Sequence, residues 1–382
     1  MKRTILVLLT LLPVAAMARQ RGPDLRIQSL TNIPSANALP AGTDEAQPSV
    51  PYRAVPGLST EPSDGSLLLE AAPEPQSQNP GGVPETATTG PSMVGYIDDA
   101  LVGTQLIVRA EADIQNLTPD LAEFTFAKCS CDSSVVGTGG HGPDGIPANV
   151  NMEVLHLFGE YALNRRFSLL AEAPFRLVQP QAFVTGSFGH SAGLSDVIVG
   201  FKFALIASPT HYLTFQLESS FPSGNASLSL GTGHYTVQSS LLYYQRVTQR
   251  VTIESEIGNS YPIGGSPGPN GSGTYAGDVL NYGIGPSYKL FNGKNFQFAP
   301  IIEFIGWRVT GGYATNAPKC GTPTQANPVL ICSAAGINML NLKGGGRVTF
   351  KGHNSVYVGY GRALTGSYWT FRVMKIEYRY SF

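Results

Sequence analysis

The feature that most constrains this chain is a series of short segments with alternating polarity, which begins at about Gln105. Each segment has roughly ten residues, the length of a tilted β-strand that crosses a bilayer. Turn-forming residues separate neighbouring segments. There are about twelve of them, at approximately 105–112, 152–163, 167–178, 196–205, 212–220, 237–245, 251–259, 279–290, 296–309, 339–350, 355–363 and 369–382.

The connections between these segments alternate in length. The intervening connections at 113–151, 179–195, 221–236, 260–278 and 310–338 are long, and the last one, near 364–368, is short. Tight connections occur at Asn164-Arg165, Ser208-Pro209-Thr210, Thr248-Gln249-Arg250, Asn292-Gly293-Lys294 and Gly352-His353-Asn354. This order is typical of outer-membrane β-barrels, with short periplasmic turns and long external loops. The predicted fold class is therefore all-β: a closed antiparallel transmembrane β-barrel of about twelve strands.

Within each segment, only one face is apolar. In the segment 212–220, Leu213, Phe215 and Leu217 alternate with polar residues, as a wall between lipid and a wet lumen requires. Charged residues make up 13% of the chain, about half the usual fraction in soluble domains. A net charge of −1 gives no electrostatic reason to expect nucleic acid as a partner.

The N-terminus has the pattern of a secretory signal peptide over residues 1–18. Lys2 and Arg3 precede an apolar run from Ile5 to Val14, and Ala16-Met17-Ala18 fits a cleavage site. The alternative, an N-terminal membrane helix, is disfavoured because the apolar run is too short to span a bilayer.

Residues 19–95 are rich in Pro, Ser, Ala and Thr and have no periodic apolar pattern. Such a composition buries too little apolar surface to offset the entropy of ordering. We expect a disordered periplasmic leader, followed by the barrel domain at 96–382. In the alternative, the leader enters the barrel as a plug.

The four cysteines fit an oxidising compartment, and they lie in two predicted loops. Sequence cannot choose among the three possible pairings. We favour a Cys320–Cys332 disulfide, which would close a Gly/Pro/Asn-rich loop. Cys129 and Cys131 are then the remaining disulfide candidates. A zinc site is the alternative, but Cys-x-Cys spacing matches zinc sites poorly. No cofactor or metal is indicated.

Charged residues on the polar faces of the segments are the candidate lumen lining. Carboxylates predominate on the second to seventh segments, whereas Lys and Arg predominate on the first, tenth and twelfth. Opposite walls of a closed barrel would then differ in sign and could select ions; in the alternative, the same groups form salt bridges that fill the lumen. The candidates are Arg109, Glu111, Glu160, Glu172, Arg176, Lys202, Glu218, Glu254, Glu256, Glu303, Lys343, Arg347, Lys375 and Arg379.

Evidence for catalysis is weak. His190 beside Ser191, and His156, lack an obvious orienting Asn or Asp. The three glycines 344–346 lack the Lys-Ser/Thr of a phosphate loop and suit strand curvature or close packing. We therefore expect no enzymatic activity. Aromatic residues near segment ends, including Trp307, Trp369 and Tyr244, suit interfacial girdles.

The last segment ends the chain at Phe382, with Ile376, Tyr378 and Tyr380 on the same face. This pattern resembles the C-terminal assembly signal of bacterial outer-membrane barrels. The resemblance implies the barrel-assembly machinery as a partner and the outer membrane as the location.

Three short stretches resemble motifs of the outer-membrane transporter-like barrels of the phenol meta-pathway type. They are Gly193-Leu194-Ser195-Asp196-Val197, Gly200-Phe201-Lys202-Phe203 and Phe221-Pro222-Ser223-Gly224; Ser195 stands where that family has a second Gly. The resemblance implies a passive channel or transporter for small solutes, hydrophobic or aromatic ones included. The other expected partner is outer-membrane lipid. The alternative is a structural or surface-interaction barrel with a closed lumen and functional extracellular loops.

Overall fold

The computed structural model describes residues 92–130 and 139–382. The expected signal peptide, and the leader up to residue 91, lie outside the described residues. Within the described ranges, no helix is long and apolar enough to cross a membrane. The strands are β1 (Gln105–Asn116), β2 (Gly145–Ala162), β3 (Phe167–Gly186), β4 (Ser191–Leu194), β5 (Val197–Ala207), β6 (His211–Phe221), β7 (Tyr235–Arg246), β8 (Val251–Ile263), β9 (Val279–Tyr288), β10 (Phe291–Asn292), β11 (Phe296–Val309), β12 (Tyr313–Thr315), β13 (Ile331–Ser333), β14 (Asn338–Phe350), β15 (Asn354–Ala363) and β16 (Arg372–Ser381). In the same described ranges, four 3-10 helices lie in loops, at Leu121–Glu123, Ala226–Leu228, Pro269–Gly271 and Pro318–Cys320.

The long strands form one closed antiparallel barrel of 12 strands, in the order β1, β2, β3, β5, β6, β7, β8, β9, β11, β14, β15 and β16. The first and last strands pair, with Gln105 opposite Ser381, and this pairing closes the wall. β4 pairs with β3, and β10 with β11. β12 and β13 form a separate hairpin in the loop between β11 and β14. Closure leaves no open sheet edge, and it confirms the predicted fold class.

The observed strands are longer than predicted on one side of the barrel. β2 has 18 residues and β3 has 20, where we expected segments of about ten residues. The extra residues pair with each other beyond the predicted ends, with Gly145 opposite Gly186. Backbone pairing continues there because these strand ends lead into long loops. The opposite ends carry the predicted tight turns.

The two faces of the wall differ in polarity along its whole circumference. Outward side chains are large and apolar: Leu106 is 55% exposed, Ile284 50% and Val358 56%. Inward side chains are polar and buried, such as Lys202 and Glu303. An apolar exterior around a polar interior is the pattern of a transmembrane barrel. The described part of the chain is therefore a closed β-barrel of the transmembrane type.

The predicted assembly-signal residues lie on β16 and just beyond its end. Tyr378 donates a hydrogen bond to Asn354 on β15 (2.7 Å). Tyr380 packs edge-on against Phe382, with ring centroids 4.8 Å apart. Both contacts lie at the turn end of the barrel, next to the β1–β16 closure.

Candidate functional site

The lumen of the barrel is the candidate site, because it collects the charged side chains of the wall. All of the predicted lumen residues point into it. They are Arg109, Glu111, Glu160, Glu172, Arg176, Lys202, Glu218, Glu254, Glu256, Glu303, Lys343, Arg347, Lys375 and Arg379.

A segment of the chain, residues 92–104, runs through this lumen before it enters β1; we call it the lumenal segment. Glu303 of β11 accepts hydrogen bonds from three of its consecutive backbone N–H groups. The donors are Gly95 (3.1 Å), Tyr96 (3.0 Å to each carboxylate oxygen) and Ile97 (3.1 Å). Charge-assisted bonds of this kind are stronger than bonds between neutral groups. Glu303 is fully buried. Its single carboxylate therefore satisfies backbone N–H groups that have no hydrogen-bond partner in the barrel sheet.

Further carboxylates of β8 hold the segment in the same way. Glu254 accepts hydrogen bonds from the Ser92 hydroxyl and the Met93 backbone N–H, both at 2.9 Å. Glu256 accepts one from the Asp98 backbone N–H at 3.0 Å. Two carboxylates that the sequence suggested as pore lining therefore bind a peptide backbone.

Two arginines, on β14 and β16, complete the attachment. Arg379 of β16 forms a 3.0 Å ion pair with Asp99. Arg347 of β14 donates to the backbone carbonyl of Val94. The segment is thus held from β8, β11, β14 and β16, and it fills the lumen near the short turns. Of the predicted leader, only residues 92–95 are described, and they lie inside the barrel, as the plug alternative expects. Residues 96–104, which we assigned to the barrel domain, continue the same segment through the lumen.

Among the residues that the structure describes, Glu377 of β16 is the centre of the largest charge network, and sequence reasoning missed it. Its carboxylate pairs with Arg347 (2.9 Å), Arg379 (3.1 Å) and Arg109 (3.5 Å). The signal was present, since Glu377 lies between Lys375 and Arg379 on the same strand face. The network joins three strands across the β1–β16 closure.

On the other wall, Lys202 of β5 pairs with Glu160 of β2 at 3.0 Å. Glu160 also accepts a 2.6 Å hydrogen bond from the Ser168 hydroxyl. Many lumenal charges therefore have a partner within the wall or in the lumenal segment. This arrangement matches the salt-bridge alternative more closely than a field between two opposed walls.

His156 of β2 lies in the lumen between two carboxylates. Its Nδ1 is 2.7 Å from Glu172, and its Nε2 is 3.8 Å from Glu111. The other histidine considered for catalysis, His190, is exposed. The hydroxyl of the adjacent Ser191 donates to a loop carbonyl.

Above the lumenal segment, towards the long loops, the barrel encloses a cavity of about 340 Å³. One side of this loop-side cavity is apolar and the other is charged. The charged or polar side includes Lys343, Glu111, Asp113, Glu172, Arg176 and Asn341. A smaller cavity of about 50 Å³ lies beside the lumenal segment.

Aromatic side chains form the apolar side of the loop-side cavity. Trp369 stacks on Phe124 with ring centroids 4.4 Å apart, and Trp307 meets Trp369 edge-on at 5.8 Å. The assignment of Trp307, Trp369 and Tyr244 to interfacial girdles was therefore wrong, because the two tryptophans line the cavity and Tyr244 is buried inside the barrel. Alternation alone could not reveal this, since an aromatic ring suits a lipid interface and a packed lumen equally well.

The long loops fold over the cavity and form a lid. Lys128 is fully buried there, 2.7 Å from the Asp120 carboxylate, and it also donates to the Thr315 hydroxyl. Glu123 accepts hydrogen bonds from the backbone N–H groups of Lys128 (2.7 Å) and Ser266 (2.9 Å). These contacts join the β1–β2 loop to the β8–β9 and β11–β14 loops.

A disulfide between Cys320 and Cys332 crosslinks the lid loop that contains β12 and β13. Neither sulfur is then available as a thiolate ligand for zinc. Cys129 is disulfide-bonded too, and Cys131 lies outside the described residues. In the same lid, burial lowers the pKa of His234 below its usual value, although Glu123, 3.9 Å away, favours the protonated form.

Neither a family model nor a curated protein sequence matches the chain. Among solved structures, an outer-membrane channel from Pseudomonas putida F1 is similar over 75% of this chain and 100% of its own, with 14% identity and a TM-score of 0.45. The β domain of the Bordetella autotransporter BrkA is similar over 73% and 100%, with 11% identity and a TM-score of 0.41. The NanC porin is similar over 72% and 98%, with 8% identity and a TM-score of 0.39. The likeness extends to the fold alone.

Proposed function

We propose that this protein is an outer-membrane channel that carries small solutes, including hydrophobic or aromatic ones, through a lumen that the lumenal segment closes. The observation that carries the proposal is the loop-side cavity inside a membrane-spanning wall. A filled structural barrel has no need of such a space. The proposal assigns no catalytic step to the chain.

The lining of the cavity supports the solute class. A volume of about 340 Å³ lies within the range of small-molecule sites. The rings of Phe124, Trp307 and Trp369 offer an apolar surface, while Lys343 and Arg176 lie on the charged side. Such a lining suits a small solute with an apolar body and a polar group.

The lumenal segment supports a channel that closes. It crosses the lumen without joining the barrel sheet, and polar contacts from Glu254, Glu256, Glu303 and Arg379 hold it. Its removal would leave those wall residues around a water-filled passage, and the strands would keep their own hydrogen bonds.

The test uses the mature chain in planar bilayers and liposomes, alongside a variant that lacks residues 92–103. We expect low, intermittent conductance from the full chain and steady conductance from the variant. Swelling assays with small aromatic and sugar solutes would then rank permeation. If both proteins are silent and both leave liposomes as tight as lipid alone, the channel proposal is refuted.

One observation favours a second function, a surface-interaction barrel with a closed lumen. The lid packs tightly onto the barrel rim: Leu121, Ala122, Ala314 and Ala317 of the lid share one buried apolar cluster with Val309 of β11 and Met339 of β14. A packed lid presents a fixed external surface. Loss of a surface phenotype after substitution of exposed lid residues, together with a silent barrel, would support this second function.

A further inference from the structure

Two buried lysines in the lumen face the same aromatic ring. The ammonium groups of Lys343 on β14 and Lys375 on β16 lie 3.9 Å and 4.4 Å from the ring centroid of Tyr96. The two lysines are 7% and 3% exposed. Among residues 92–130 and 139–382, neither ammonium has a carboxylate oxygen within 4.0 Å or a hydrogen-bond acceptor.

Burial of these two ammonium groups against one aromatic ring is energetically unfavourable, unless another ligand can take the place of the Tyr96 ring. A cation–π contact stabilises a desolvated ammonium only in part, because burial of an ammonium group without an anionic partner carries a large desolvation penalty. Two ammonium groups on one ring also repel each other. By contrast, Arg347 and Arg379, on the same strands, pair directly with Glu377.

The carboxylates around the two lysines are mostly engaged elsewhere. Glu303 accepts the backbone N–H groups of the lumenal segment, and Glu377 pairs with arginines. Glu256 accepts the Asp98 N–H. Two carboxylates of β1, Glu111 and Asp113, lie on the wall of the loop-side cavity. Glu111 is opposite Lys375 in the β1–β16 pairing, but its nearest basic partner is His156, at 3.8 Å.

We propose that Lys343 and Lys375 form a binding site for the carboxylate group of a small organic solute, and that the Tyr96 ring occupies this site in the closed barrel. The inference deepens and rests on the proposed channel function. Lys343 lines the loop-side cavity and Lys375 lines the smaller one. An anion at the position of the ring would lie between the two cavities and within reach of both ammonium groups.

The neighbouring aromatic wall defines the rest of the solute. The Lys343 ammonium lies 5.6 Å from the centre of the Trp307 ring, and Trp307 meets Trp369. A solute whose carboxylate binds Lys343 can therefore place an apolar body against the two tryptophans. Asn341, buried beside Lys343 on the same strand face, has a side-chain oxygen without a hydrogen-bond partner in the described ranges.

The two tryptophans also supply the assay, because they are the only ones in the chain and both line the loop-side cavity. Purified full-length protein in detergent is titrated with benzoate, with its neutral isostere benzamide and with benzylamine, while tryptophan fluorescence is recorded. We expect benzoate to bind at least tenfold more tightly than benzamide, and benzylamine to bind most weakly.

Three substitutions should change benzoate binding, one by weakening it and two by strengthening it. Lys343→Met should abolish the preference for benzoate over benzamide. Glu111→Gln should increase the preference, because it removes a negative charge near the site. Tyr96→Ala should increase benzoate affinity because it removes the competing ring. Lys294→Met, in an exposed turn, is the matched control and should change nothing.

Equal affinities for benzoate and benzamide in the unsubstituted protein would overturn the inference, as would a preference that survives Lys343→Met. If Lys343→Met does not fold, the Glu111→Gln result decides alone, and an unchanged or weaker preference overturns the inference. Conductance is measured separately. If the full chain and the variant without residues 92–103 are both silent while benzoate is still preferred, the channel is refuted and the site stands. A conducting barrel without the preference refutes the site alone.

Discussion

Substitution of Glu303 by Ala should release the lumenal segment. Glu303 accepts hydrogen bonds from the backbone N–H groups of Gly95, Tyr96 and Ile97. In the described structure these three N–H groups have no other acceptor. A buried donor left without a partner costs about 1–3 kcal/mol. Three donors at the low end give a loss of about 3 kcal/mol. Because 1.4 kcal/mol is a factor of ten, the ratio of open to closed barrel should rise roughly 100-fold.

Two independent measurements report this change. Single-channel recording gives the open probability, which should rise for Glu303→Ala and less for Glu303→Gln, since Gln keeps one carbonyl acceptor. Limited proteolysis with an enzyme that cleaves before aspartate should cut at Asp98 or Asp99 once the segment leaves the lumen. Heat-modifiable migration on a gel verifies that the barrel itself is intact.

Glu218→Ala is the matched control. Glu218 is another lumenal carboxylate beside the smaller cavity, and it makes no hydrogen bond to the lumenal segment in the described structure. This variant should behave as the unsubstituted protein. If Glu303→Ala keeps the segment protected and the barrel closed, or if Glu218→Ala opens it equally, then the carboxylate–backbone contacts do not hold the segment.

Two further predictions concern packing and pH. Gly345→Ala should loosen the lumenal segment, because a Cβ atom at Gly345 would collide with the Tyr357 ring that packs edge-on against Tyr96; unchanged protease protection would contradict this. Burial lowers the pKa of His234 below the ordinary value of about 6.5 and so disfavours its protonated form in the folded lid. The unfolded lid therefore binds more protons as pH falls below that value, and acid should destabilise the lid. Hydrogen exchange of residues 120–128, corrected for intrinsic rates, should increase between pH 7.5 and pH 5, and His234→Gln should flatten this dependence; equal exchange in both proteins would count against it.

The barrel could be predicted from sequence because each strand has an alternating pattern of polarity that can be recognised without its neighbours. A period of two in polarity fixes which side chains meet lipid, and loop lengths fix which rim each turn occupies. The inward positions of Lys202, Glu254 and Glu303 follow from that period alone. Strand ends were less accurate, as β2 and β3 show, because pairing beyond the hydrocarbon needs no apolar face.

The lumenal segment could not be predicted in the same way. Residues 92–104 bind through backbone N–H groups, which every residue except proline has, so their contacts with Glu254 and Glu303 have no sequence pattern. The same is true of Tyr96, whose lysine partners come from β14 and β16. Alternation places Lys343 and Lys375 in the lumen, but it does not show which third element lies between them.

The covalent link between the lumenal segment and β1 decides how the channel should behave once a contact is lost. A released segment remains attached at residue 104, so its return is intramolecular, with an effective concentration of about 1 mM for a short flexible linker. Glu303→Ala channels should therefore flicker between open and closed states. A protease site inserted at Gly103, where a side chain meets no atom within 4 Å, should convert flicker into lasting conductance after cleavage, because the freed segment is diluted. Flicker that persists unchanged after complete cleavage would show that another part of the chain, such as the lid, closes the lumen.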